Sequence, residues 1–170
     1  VAWEIKNFSV TADAGSVTPT PDPTPDPTPD PTPGDAVSIL ATQITTVPGT
    51  STVDGFTFTI DKASGSTEPA KHDGTSAIRL YADNTMTVSG PRMTSITFTL
   101  SSDAGGRYTT VTPNTGSISP AQKAGDTSFT WVGDASSVTF TVGHDATLGT
   151  DGSSKRGQVR FTKLDIAVAE

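Results

Sequence analysis

Apolar side chains recur at every second position along this chain, and of the regular backbone conformations only the strand has that period. Ile78, Leu80 and Ala82 alternate with Arg79, Tyr81 and Asp83, and Met86 and Val88 resume the pattern after a polar break at Asn84-Thr85. Ile96, Phe98 and Leu100 alternate with Ser95, Thr97 and Thr99. The spacing returns at Phe56, Phe58 and Ile60, at Phe129 and Trp131, at Val138, Phe140 and Val142, and at Val159 and Phe161. Each such segment turns one face to a core and the other to water or a ligand. Gly90-Pro91 reads as a turn, because Gly tolerates positive φ and Pro lacks the N–H that a ladder needs. Gly133 to Ser137 reads as the turn of a second hairpin. Asp35 to Val47 reads as an opening strand with Ile39, Ala41 and Ile44 facing inward, and Lys62 to Ser76 and His144 to Gly157 as long apolar-poor loops. Helical periodicity is absent. The pattern predicts an all-β protein, a β-sandwich read as a jelly roll of about eight antiparallel strands.

This sandwich is assigned to residues 36–170. Ahead of it, Thr18 to Gly34 runs TPTPDPTPDPTPDPTPG, with proline at alternate positions. Each proline fixes φ and removes a donor, so residues 18–35 are expected to form an extended Thr-Pro-Asp linker of ~3.1 Å per residue. Residues 1–17 open with VAWEIKNFSV, which overlays Val159 to Val168: Val1 on Val159, Trp3 on Phe161, Phe8 on Ile166 and Val10 on Val168. The segment reads as the last strand of a preceding, similar domain. Chance likeness between two strands and docking onto an exposed sheet edge are the alternatives. On this reading the chain is a fragment of a longer multidomain protein.

Charge narrows the partners. The formal net charge is −7. Residues 1–35 hold six acids and one lysine, whereas residues 36–170 hold twelve acids against ten basic residues. The sandwich is therefore nearly neutral, without the basic footprint of a nucleic-acid binder. No stretch approaches the ~20 apolar residues of a membrane span. Cysteine is absent, which excludes a disulfide scaffold and a thiolate metal site.

No catalytic pattern emerges. His72 and His144 fall in separate loops without metal-ligand spacing, and no nucleophile motif or phosphate-binding glycine loop is present. Glycoside hydrolysis needs two opposed carboxyls, one kept protonated. Glu68 and the terminal Glu170 are the only glutamates of residues 36–170, and most aspartates sit in Gly- and Ser-rich turns that they stabilise through their own backbone. The chain is expected not to be an enzyme.

A binding surface remains. Sugars are held by aromatic rings against their C–H faces and by charged or amide groups on their hydroxyls. Arg79 and Tyr81 share the outward face of one strand, Arg160 points outward between Val159 and Phe161, Asn84 marks the break in the central strand, and Lys71-His72 precede it. These are the candidate ligand-binding residues. The competing account pairs Arg79 with Asp83 or another surface acid and leaves Tyr81 as cover for a sheet face. Trp131 is a candidate stacking platform, although its shared parity with Phe129 favours the core. Asp165, between Leu164 and Ile166, is either a ligand for a structural Ca²⁺ or an ordinary solvent-facing carboxylate.

IRLYADNTMTV, ITFTL, FTWVGDASSVTFTVG and GQVRFTKLDIAV together resemble a β-sandwich module of large secreted proteins from polysaccharide-degrading gut and rumen bacteria. More loosely they resemble the galactose-binding-like jelly rolls of carbohydrate-binding modules. The resemblance implies a secreted or cell-surface monomer that binds a polysaccharide or oligosaccharide and targets a tethered catalytic domain of the parent chain to it. It also implies that an acid near the last strand can ligate calcium, and Asp165 is the matching position. A structural or adhesive spacer with no sugar site is the other function the sequence allows.

Overall fold

A computed structural model describes residues 36–72, 76–101 and 106–170. The N-terminal strand remnant and the Thr-Pro-Asp linker lie outside the described residues. Among the described residues ten strands run in order: β1 (Val37–Leu40), β2 (Gly49–Val53), β3 (Phe56–Asp61), β4 (Ala70–Lys71), β5 (Ile78–Tyr81), β6 (Thr85–Leu100), β7 (Val111–Pro113), β8 (Ser117–Ile118), β9 (Ser128–Val142) and β10 (Gln158–Val168). A 3₁₀ turn at Ala41–Gln43 follows β1. All the strand pairings are antiparallel. The protein is an all-β sandwich made by one sheet curling on itself.

Two long strands make the curl. β6 and β9 pair with each other along almost their whole lengths, from Thr85↔Thr141 to Thr99↔Ser128. The first part of β6 also pairs with β3, and β3 with β2; the second part pairs with β10. On its other side β10 takes β5 over Gln158–Phe161 and then β1 over Lys163–Ile166. β6 and β9 thus run from one layer of the sandwich into the other. The change of layer falls where the register slips, between Ser89 and Ser95 on β6.

Gly90-Pro91 lies inside that change, and so does Gly133 to Ser137 on β9. Neither is a hairpin turn, contrary to the reading from sequence: each is a corner within one continuous strand. Two glycine-containing breaks face each other across the pair, and Arg92 bridges them with two hydrogen bonds to Asp134. A corner needs the same residues as a turn does, since both need a missing ladder bond and a backbone free of Cβ. At Gly90 a Cβ would stand 2.7 Å from Cδ1 of Phe56, so the corner closes directly on the core.

Inside, the rings interlock across the layers. Phe98 on β6 stacks on its neighbour Phe129 on β9 at 4.5 Å and meets Phe140 from the opposite part of β9 edge-on at 5.0 Å. Trp131 meets Phe140 at 6.4 Å, is fully buried, and donates its indole N–H to the Thr115 carbonyl at 2.7 Å. Ile39, Ala41 and Ile44 are buried as their spacing predicts. β2 escaped the sequence reading for a simple reason: its inward position is Ser51, a hydroxyl that accepts a hydrogen bond from the Thr46 N–H at 2.9 Å.

Candidate functional site

β5 places Ile78 and Leu80 in the core, which leaves Arg79 and Tyr81 on the outside. The strand stops at Tyr81 because the chain turns through Ala82 and Asp83, and Asp83 takes a left-handed conformation (φ 65°) that aspartate tolerates. Asn84 fixes this turn. Its side-chain oxygen accepts from the Tyr81 N–H at 2.8 Å, and its amide donates to the carbonyls of Lys62 (3.1 Å) and Thr67 (2.9 Å). Asn84 is completely buried, so it is not a ligand contact as its place in the sequence suggested. It pins the 62–67 loop to the end of β5 and thereby sets where Tyr81 stands.

The register of β10 supplies the rest of the surface. Arg160 stands directly opposite Arg79, and Gln158 opposite Tyr81. Residues opposite one another in an antiparallel pair project from the same face, with Cβ atoms ~5 Å apart. Four polar side chains therefore form a block on two adjacent strands. Arg79 Nη1 donates to the Tyr81 hydroxyl at 3.0 Å, and its guanidinium lies 5.7 Å from the centroid of the same ring. Arg160 Nη2 donates to the Gln158 side-chain oxygen at 3.1 Å. Gln158 is nearly buried, and its backbone bridges to Tyr108, which steadies this end of β10. On its outer flank Arg79 faces Ala70, which offers only a methyl group beside it.

The structure thus gathers Arg79, Tyr81 and Arg160, and adds Gln158, which the sequence did not single out. A buried glutamine among strand positions looks like any polar break. Only its register against Tyr81 gives it a role.

The remaining candidates lie elsewhere. Lys71 is paired with Ile78, so it projects from the opposite face of the sheet, where it lines a depression of ≈ 300 Å³ with Ala41, Thr42, Ser76 and Ala77. His72 is half-buried, and its backbone N–H closes the following loop on the Ala77 carbonyl at 2.9 Å. Trp131 belongs to the core and presents no ring to solvent.

Asp165 is engaged by Lys163 at 2.7 Å and by the Ser38 hydroxyl. Burial pushes this carboxyl up, but the hydrogen bonds from Lys163 and Ser38, with the lysine charge, outweigh that and hold it below the ordinary aspartate value. A lysine ammonium on the carboxylate is the wrong neighbour for a calcium ligand. Among the described residues no three His, Asp or Glu side chains come close enough to hold a metal. The calcium expectation gains no donor set here.

Asp83 does not pair with Arg79. It turns to His144, whose Nδ1 lies 2.7 Å from Oδ2, and Arg156 Nη1 sits against the same imidazole. These partners are 61 residues apart in sequence, and no motif announces them. Their effect is to tie the 143–157 loop to the turn that follows Tyr81. The cluster is largely exposed, so water screens its ion pairs.

No protein-family model and no curated protein matches the chain. Among the described residues no helix is long and apolar enough to cross a membrane.

Proposed function

We propose that this chain is a non-catalytic carbohydrate-binding module of a secreted or cell-surface protein, holding a tethered glycan-degrading domain against plant-type polysaccharide. The observation that carries the reading is the block of Arg79, Tyr81, Gln158 and Arg160 on adjacent strands. A phenol beside two guanidiniums, one of them held by the buried Gln158, matches what a sugar offers. The ring covers a C–H face, and the planar donors reach the hydroxyls around it. A weak module acts by raising the effective concentration of whatever is tethered to it, and an extended Thr-Pro-Asp linker suits that work.

Affinity electrophoresis of the folded chain through a panel of plant polysaccharides tests the proposal. Retardation by at least one polymer, lost in Tyr81→Ala, supports it. Unaltered migration through all of them overturns it.

One observation favours a second reading. Arg79 already bonds to Tyr81, so the two side chains serve each other without a ligand. That is what a spacer or adhesive sandwich would show. It is the reading that survives if no glycan slows the protein.

A further inference from the structure

We infer that the glycan recognised by this face is acidic, with a uronate carboxylate received between Arg79 and Arg160; the inference rests on the carbohydrate-binding reading above. Arg79 and Arg160 occupy directly opposite positions on β5 and β10 and project from the same face. Like charges in opposite positions on a strand pair work against pairing. A carboxylate placed between them reverses the sign of that interaction. It can accept two parallel N–H bonds from a planar fork, which an ammonium or a neutral amide cannot offer.

The local environment strengthens the attraction. Nε of Arg79 is already out of water and has no hydrogen-bond partner, and Cζ of the guanidinium lies 5.7 Å from the centroid of the Tyr81 ring. A partly desolvated cation attracts an anion more strongly than a fully hydrated one, because the dielectric between them is lower. Among the described residues no carboxylate forms a salt bridge with Arg79.

Charge is also placed rather than spread. On the opposite layer of the sandwich, the outward rows Thr50, Thr59, Thr87, Thr139 and Thr52, Thr57, Ser89, Ser137 carry hydroxyls alone. In a sandwich with more acids than bases, paired arginines on one small face are selective for a local anion. They do not make a general polyanion-binding surface. Tyr81 beside them supplies the ring for the sugar that bears the carboxylate.

The test compares polygalacturonate with the same polymer after its carboxyls have been reduced to hydroxymethyl groups, and with neutral β-glucan and galactan. All are run against the full 170-residue chain at low and high salt. The wild-type comparison needs no variant, so it holds even if a substitution disturbs folding. The expected result is retention on polygalacturonate that falls about tenfold or more on carboxyl reduction and weakens with salt. Arg79→Gln and Arg160→Gln are each expected to cost about tenfold, with Arg79→Lys intermediate because it keeps the charge but loses the fork. Equal retention on native and carboxyl-reduced polymer, still abolished by Tyr81→Ala, overturns the inference and leaves the carbohydrate reading standing. Retention on neutral polymers alone does the same. Retention on none of the polymers removes both.

Discussion

One outward face of this sandwich and one block of the other are built from the same strand geometry and carry opposite kinds of side chain. Across β2, β3, β6 and β9 most outward positions carry hydroxyls, bonded in pairs: Thr50 to Thr59 at 3.2 Å, Thr52 to Thr57 at 3.3 Å, Thr87 to Thr139 at 2.8 Å and Ser89 to Ser137 at 2.9 Å. Across β5 and the start of β10 they are two arginines, a tyrosine and a glutamine. The first face is what a strand needs for itself, since β-branched threonines suit the pleat and cross-strand hydroxyl pairs support the register. The second uses long side chains whose ordering costs rotamer freedom, and it sets like charges opposite one another. The difference separates a face that serves the fold from the one proposed to serve a ligand.

The largest effect on that contrast is expected from the core that carries both faces. Trp131→Ala should lower unfolding free energy by about 3–5 kcal/mol in a urea titration, because the cavity sits where the two layers meet. A loss under about 1 kcal/mol would mean that the ring is not the wedge described here.

Asn84→Ala comes next, at about 1–3 kcal/mol, since it strands one N–H and two carbonyls in a buried turn. Because Asn84 positions Tyr81, glycan retention should fall with it. Retention that survives the substitution would detach the turn from the site.

Arg79→Ala and Tyr81→Ala sharpen the comparison most directly. Each should weaken glycan binding by roughly 1–3 kcal/mol while changing stability by about 0.5 kcal/mol or less. A steep fall in melting temperature for Tyr81→Ala, with retention unchanged, would return that residue to the fold. The matching control is the hydroxyl face. Thr87→Val with Thr139→Val should leave retention unchanged and shift stability by no more than about 0.5 kcal/mol. Lost retention there would erase the distinction between the faces.

The smallest effect is one of pH. Asp165 is held below the usual aspartate value in the folded chain, so its contribution to stability is present above the unfolded value of about 4 and is lost as pH falls through the folded value. Asp165→Asn should therefore flatten the acid limb of the stability profile slightly and lower stability slightly near neutrality, where the contribution is fully present. An unchanged acid limb would show that the Lys163 and Ser38 contacts contribute nothing in solution.

Much of this architecture was legible beforehand. Alternation assigned inside and outside correctly at Ile78, Leu80, Phe98, Phe140 and Phe161, and so it put Arg79, Tyr81 and Arg160 on the surface. That succeeds because the period of two is a property of the strand backbone itself, independent of what the strand pairs with. The same local logic could not tell a turn from a corner. Gly90-Pro91 and Gly133 break a ladder either way. Whether the chain then reverses or bends into the next layer depends on the partner strand, and β9 bends at the same place as β6.

Asn84 shows a second limit. An amide at a polar break looks available until the 62–67 loop folds over it and takes its hydrogen bonds. The composition of the site lay beyond the sequence for the same reason. Arg160 faces Arg79 and Gln158 faces Tyr81 only because β10 pairs with β5 in one register before slipping by a bulge after Phe161 to follow β6. Sequence alone determined which side is wet on the strands whose apolar residues alternate. Tertiary structure decided which wet side chains stand together, because register between distant strands is set by the packing of the whole core and not by either strand alone.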